Sequence, residues 1–235
     1  MKDIDDIVVI IQARLSSERV PQKMVKPFAG TTLYEICLKK ILSSKVVPKR
    51  NVYASVHEQE LVDLAIDNGS NVFRRSEKSA KSEGTPITEI YEWWDQFHDK
   101  KYCVLVNACC PMLEVETIDK FIEHYMNTDS RGLFGVMEKK NYFWNTDGEM
   151  LTTWPQEEAV MNTKVVGKTL EAAHCLYAGS LEAIGQGIWM GDFTKGDPEL
   201  YVVPEEQTLD IDYPWQFQAY EAVYKAKFGE QSAAK

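Results

Sequence analysis

Residues 6–12 (DIVVIIQ) form a near-continuous apolar run rich in β-branched side chains. That pattern fits a strand covered on both faces. After a polar loop, Thr31-Thr32 precedes LYEICLKKIL, an amphipathic stretch that reads as a helix, with either threonine suited to its N-cap. NVYASV (51–56) predicts a second strand, and EQELVDLAIDNG a helix closed at Gly69, a residue type suited to the position after a helix end. Asn71-Val72-Phe73 predicts a short third strand, 86–98 a helix, and YCVLVN (102–107) another buried strand. Residues 115–125 predict a helix, 132–137 a strand and 213–225 a last helix.

Strands separated by helices imply right-handed βαβ crossovers, so the expected class is α/β, with a mostly parallel central sheet and flanking helices. Ligands in such sheets bind beyond the carboxyl ends of the strands. Attention therefore falls on 12–23, 74–88, 107–112 and the neighbourhood of 210. One domain over 1–228 accounts for the pattern, and 235 residues suit one large domain. Regularity lapses between 138 and 180, where Tyr142, Phe143, Trp144 and Trp154 sit among polar residues. That segment is too polar for a core and too aromatic for a linker; an arm or flap packed on another subunit fits it, as does an irregular lobe over its own sheet. The end, 229–235, is small and polar and is expected to fray.

Composition narrows the function. A 44% hydrophobic, 26% charged chain is neither disordered nor fibrous. With 36 acidic and 26 basic residues the net charge is −10, a poor match for a nucleic-acid polymer. A phosphate site must then be a local cluster of cations. No apolar run approaches the roughly 18 residues of a membrane span, and the opening residues lack the long apolar stretch of a secretory leader, so no membrane partner and a cytoplasmic location are expected. Cys37, Cys103, Cys109, Cys110 and Cys175 are odd in number and contain no C-x-x-C pair, which speaks against a disulfide framework or a Cys-rich zinc site. The four histidines show no metal spacing, and His174, within AAHCL, reads as a core or interface residue.

Candidate chemistry begins where the first strand ends, in QARLSSERVPQK. Arg14, Arg19 and Lys23 fall within ten residues, with two serine hydroxyls, and Pro21 stiffens the loop. Guanidinium forks grip phosphate oxygens bidentately and a lysine adds a point charge. The loop holds no glycine, so it is neither a Walker loop nor a dinucleotide fingerprint. Near the other end, Leu209-Asp210-Ile211-Asp212 would place two carboxylates on one face of a strand. Such a pair suits Mg²⁺, which takes one or two carboxylates plus phosphates and water; the same residues also suit surface acids with Asp212 capping the last helix. Asn107-Ala108-Cys109-Cys110-Pro111 follows a buried strand, Arg74-Arg75 follows the third strand, and Ser82-Glu83-Gly84-Thr85-Pro86 has turn chemistry before a helix.

Together these segments resemble the cytidylyltransferases that activate acidic sugars: the CMP-sialic acid (acylneuraminate) synthetases with their CMP-Kdo synthetase and spore-coat-polysaccharide relatives. The opening IIQARLSSERVPQKMVKPFAGTTL, the block from Asn107 to Leu113 followed by ETIDKFI, and the closing LDIDYPWQFQAYEAVY match that family in order and spacing. The resemblance implies a Rossmann-like nucleotidyltransferase fold with a protruding dimerisation element over 138–180, and hence a homodimer. It implies a Mg²⁺-dependent transfer of CMP from CTP to an acidic acceptor with release of pyrophosphate. Carried over, Arg14 and Lys23 bind the triphosphate as catalytic cations beside Ala13 and Arg19, Arg75 and Ser82 lie near the cytidine, Asp210 and Asp212 hold Mg²⁺, and Asn107 takes the place of a family glutamine. Cys109-Cys110 stands where the family has Thr-Ser, and the acid that Kdo-type enzymes carry in this block is missing. Open alternatives are another nucleoside triphosphate, a phosphorylated or phosphonate acceptor, or a non-catalytic nucleotide-binding protein.

Overall fold

A computed structural model describes residues 1–81 and 86–229. Its strands are β1 (Ile7–Gln12), β2 (Pro27–Phe28), β3 (Thr31–Thr32), β4 (Val52–Val56), β5 (Asn71–Arg74), β6 (Tyr102–Val106), β7 (Leu133–Lys139), β8 (Thr169–Ser180) and β9 (Glu199–Val202). The helices are α1 (Leu33–Leu42), α2 (Gln59–Asp67), α3 (Glu77–Ala80), α4 (Ile87–Ile90), α5 (Val115–Asn127), α6 (Leu181–Gly185) and α7 (Pro214–Phe228).

Seven strands form the central sheet in the order β5-β4-β1-β6-β8-β7-β9. β1 pairs in parallel with β4 and β6, β4 with β5, and β7 with β9. Only β8 runs against its neighbours β6 and β7, so the sheet is mostly parallel, as expected. Ile7 to Ile11 are fully buried, with one apolar cluster packed on each face of the sheet. That two-sided burial is why β1 reads as an unbroken apolar run. The chain leaves β1 for β4 and β5 on one side, then returns to β6 on the other. This reversal opens a crevice beyond the carboxyl ends of β1 and β6, the switch point where open α/β sheets bind ligands.

Several expected elements hold. Thr32 caps α1, its hydroxyl accepting the Glu35 N–H at 3.2 Å. Gly69 follows α2 at φ 81°, a backbone conformation that glycine adopts without Cβ strain. Other elements differ. The helix expected over 86–98 is split: α4 ends at Ile90, Tyr91 leaves helical geometry, and Glu92–Asp95 form a 3₁₀ turn. In one helix Tyr91 and Trp93 would lie about 200° apart; the break brings their rings to 5.3 Å and buries Trp93. β8 falls inside the segment expected to be irregular. It sits at the sheet centre with Cys175, Leu176, Ala178 and Gly179 buried, and a register shift in its pairing with β7 lies beside His174, so period-two alternation is lost. Between β7 and β8, residues 140–168 hold a bridge from Trp144 to Met150 and expose Trp144, Leu151, Val160 and Met161. Of the tail 229–235, all but Gly229 lies outside the described residues.

Candidate active site

A cavity of about 680 Å³ opens at the switch point. Its floor is Gln12 at the end of β1 and Leu105, Val106 and Asn107 at the end of β6. One wall is cationic. Val20 and Met24 are buried and plant the loop after β1 on the core, leaving Arg14, Arg19 and Lys23 to line the cavity. Arg14 Nη1 donates to the Ala80 carbonyl at 3.1 Å. Ala13 also lines the cavity, and its carbonyl accepts from Arg75 Nη2 at 2.8 Å. Arg75 is 3% exposed; burial, opposed by Glu58 and assisted by Arg14, pulls its pKa down to about 10, so it remains cationic at neutral pH.

The aspartates arrive from the far end of the chain. Leu209 to Asp212 form no strand, unlike the expectation, because buried Ile211 is held by a loop instead: its N–H donates to the Cys109 carbonyl at 3.1 Å and its carbonyl accepts from Lys23 Nζ at 2.5 Å. Asp210 and Asp212 bracket that anchor. Tyr213, not Asp212, is the N-cap of α7, and Gln216 Oε1 accepts the Asp212 and Tyr213 N–H groups at 2.7 and 2.8 Å. Lys23 Nζ lies 3.5 Å from Asp212 Oδ1 and Arg19 Nη2 lies 2.7 Å from it, with the Arg19 guanidinium 5.1 Å from the Tyr213 ring. Lys23 and Asp212, from opposite ends of the chain, therefore meet in one cavity.

Two carboxylates so close to one another repel. Burial first, then Asp212, raises the Asp210 pKa, while Lys23, His174 and Arg19 pull against the rise. Asp210 Oδ1 is buried and has no hydrogen-bond partner among the described residues. Burial works against the Lys23 charge, but Cys109, Asp210 and Asp212 outweigh it and raise its pKa. The Cys109 thiol lines the cavity; burial pushes its pKa up to about 11, so it is protonated at neutral pH and is no nucleophile.

Asn107 lines the cavity but spends its amide on the protein. Nδ2 donates to the His174 carbonyl at 2.7 Å and Oδ1 accepts the Cys109 N–H at 2.9 Å. It thus ties the 107–111 loop to β8. His174 is not a core residue: it is exposed on β8 with φ 52°, and its Nδ1 lies 3.2 Å from the Tyr177 hydroxyl. Ser82 lies outside the described residues.

Another part of the lining was missed from the sequence. It is aromatic: Tyr91 stacks on Trp189 at 4.5 Å and 14°, and Tyr177 lies 5.7 Å from Trp189. Trp93 Nε1 donates to Gln12 Oε1 at 3.1 Å, tying this wall to β1. The crowding of aromatics in YEWW was the available signal, but as a helix it had no reason to face the crevice.

With arginines and a lysine on one side and Asp212 at the rim, and with the buried Asp210 near Asp212 but outside the lining, this cleft at the switch point is suited to a polyanion. A CTP-bound CMP-2-keto-3-deoxy-manno-octonic acid synthetase shares the fold, with a TM-score of 0.67 at 12% identity over 94% of this chain and 99% of that one. The 4-diphosphocytidyl-2C-methyl-D-erythritol synthase of Anaerococcus prevotii shares it at a TM-score of 0.63, 14% identity and 94% and 97% coverage. Residues 8–175 match the cytidylyltransferase family model, and the chain belongs to that family of CTP-dependent nucleotidyltransferases. It is 22% identical to the pseudaminic acid cytidylyltransferase of Campylobacter jejuni over 92% of this chain and 95% of that one. It is 24% identical to the N-acylneuraminate cytidylyltransferase A of Danio rerio over 88% of this chain and 48% of that one. Against an uncharacterized protein of Methanocaldococcus jannaschii, MJ1063, it is 26% identical over 67% of this chain and spans 61% of the relative. No described helix is long and apolar enough to cross a membrane.

Proposed function

We propose that this protein transfers CMP from CTP to an acidic sugar, releasing pyrophosphate. The observation that carries the reading is the convergence of Lys23 and Arg19 on Asp212 inside the cavity that Arg14 also lines. An acceptor hydroxyl oxygen attacks the α-phosphorus in line and gives up its proton to water; the P–O bond to the β-phosphate breaks and pyrophosphate departs. Negative charge grows on the phosphate oxygens and the leaving group, where Arg14 and Lys23 stabilise it without reorganising. Arg75 holds the Ala13 carbonyl, and so fixes the backbone from which Arg14 projects.

The site suits Mg²⁺. Its donors are hard carboxylate oxygens, and the buried Asp210 Oδ1 is an acceptor the described residues leave unsatisfied. Asp210 and Asp212 would hold the ion, the rest of its shell coming from CTP phosphates and water. When bound, it would supply positive charge to the phosphate oxygens. The names of the relatives support an acidic sugar as acceptor, and the aromatic wall offers apolar faces to such a ring. The apolar side chains exposed over 140–168 suit a homodimer contact.

Pyrophosphate release with magnesium chloride and CTP, UTP, GTP or ATP, each against pseudaminic, N-acetylneuraminic and 3-deoxy-manno-octulosonic acids, tests the reading. Release confined to CTP with one of these acids is expected. Release with another nucleotide instead, or binding of CTP without release with any acid, overturns it.

A further inference from the structure

The loop after β1 contains no glycine, so its shape has to be imposed from outside. Contacts on both sides of Arg14 do this. The Ala13 carbonyl accepts from Arg75 at 2.8 Å and the Ala13 N–H donates to the Ser55 carbonyl at 3.3 Å. The Leu15 N–H donates to Glu58 Oε1 at 2.8 Å. Both neighbours of Arg14 are pinned, which fixes the origin and direction of its side chain.

Glu58 is placed oddly for a residue of purely local purpose. It is the N-cap of α2, where a side chain ordinarily accepts from its own helix amides, yet it makes no such bond. It reaches across to the loop instead. Among the described residues its second oxygen, Oε2, is buried without a hydrogen-bond partner, and its charge acts on Arg75, whose buried Nε is likewise unpartnered among them. By Coulomb's law a carboxylate there opposes a triphosphate. What it offers the site is therefore geometry.

We infer that Glu58 is a positioning residue for the nucleotide: by holding the Leu15 N–H it aims Arg14 at the triphosphate, and this outweighs its own repulsion of that ligand. The inference rests on the CTP-binding reading of the cavity. Charge alone and positioning predict opposite signs for the same change. Removing a carboxylate should tighten CTP binding if only its charge matters. Removing the anchor should loosen it, since small misplacements of a catalytic cation carry large penalties.

The experiment is calorimetric titration of CTP with magnesium chloride into the wild type, Glu58→Ala, Glu58→Gln and Glu60→Ala, with melting curves of each. Glu60 is an exposed acid in the first turn of α2 and controls for charge. Glu58→Ala is expected to weaken CTP binding at least about tenfold, the scale of one lost charge-assisted hydrogen bond. Glu58→Gln keeps an oxygen for Leu15 and is expected at wild-type affinity or tighter; Glu60→Ala is expected to be unchanged or slightly tighter. Wild-type or tighter binding by Glu58→Ala overturns the inference, as does a loss in Glu58→Gln equal to that in Glu58→Ala. Should Glu58→Ala fail to fold, Glu58→Met decides, because it removes charge and acceptor together while keeping bulk: a loss of CTP affinity greater than about threefold upholds the anchor, and affinity within about threefold of wild type or tighter overturns it. If the wild type binds no CTP, the cytidylyltransferase reading and this inference fall together; if it binds and the variants disagree, this inference alone falls.

Discussion

Replacing Asp210 by asparagine is expected to stabilise the free protein while destroying its turnover. The buried Oδ1 has no partner among the described residues, and burial together with Asp212 raises the pKa of the carboxyl. At neutral pH the ionised group therefore costs folding free energy. A buried polar atom left unsatisfied costs about 1–3 kcal/mol. Asparagine relieves the charge but keeps a polar atom in place, so a gain of about 1 kcal/mol is expected, or about 2–4 °C for a chain of this size. The sign with pH follows from the raised value. The protonated form's contribution is fully present below the unfolded carboxyl value of about 3.9 and is lost as pH rises through the folded value. The variant's advantage in melting temperature should thus be absent in acid and open as pH rises through the folded value. Melting curves from acid to neutral pH without nucleotide check this. Adding magnesium chloride and CTP at about 100 times the dissociation constant should stabilise the wild type by about 2.7 kcal/mol and the variant far less, reversing their order. Turnover should fall by at least about two orders of magnitude. A variant that is less stable than the wild type at neutral pH, or that gains as much from magnesium and CTP, refutes the reasoning.

Two further outcomes follow from the same geometry. Lys23→Ala should lower turnover by about two orders of magnitude, because its ammonium both faces the cavity and ties the Ile211 carbonyl to the loop; steady-state pyrophosphate release measures this, and unchanged turnover would return Lys23 to a structural role. Arg19 pairs with Asp212 at the cavity rim, half-exposed, so it competes with a cation for that carboxylate. Arg19→Ala should bind Mg²⁺ alone severalfold more tightly and CTP more weakly; tryptophan fluorescence titrations with each ligand separately read both, and weaker Mg²⁺ binding would show that no competition exists.

How much of the fold was legible depends on what each segment has to satisfy. β1, β4 and β6 lie inside the sheet, and their apolar runs survive in the sequence because burial on both faces demands them. β8 is equally central yet was invisible. Its alanines and glycine carry little strand propensity, and the irregularity beside His174 breaks the alternation a reader would seek. β9 is a four-residue edge strand whose signal is too short to separate from loop. The 86–98 stretch has good helical spacing, but burying Trp93 near Tyr91 is worth more than continuing the helix, a tertiary preference that local pattern does not carry.

The site divides along a similar line. Arg14, Arg19 and Lys23 were conspicuous because three cations in ten residues stand out on a chain of net charge −10, and Asp210 and Asp212 because an isolated acid pair asks for a countercharge. Charges that must meet a highly charged ligand leave a trace in composition wherever they lie in the chain. Groups that shape the site leave none. Glu58 is one acid among many in an acidic helix start, and Trp189 one aromatic in an irregular stretch. Each acquires a role only through the strand order that sets β4 beside β1 and β8 beside β6: the first brings the β4–α2 turn under the cationic loop, the second brings Tyr177 and the Asn107 tie across from it. Where a pocket is built at a topological switch point, its ligand-facing charges belong to local sequence and its architecture belongs to the order of the strands.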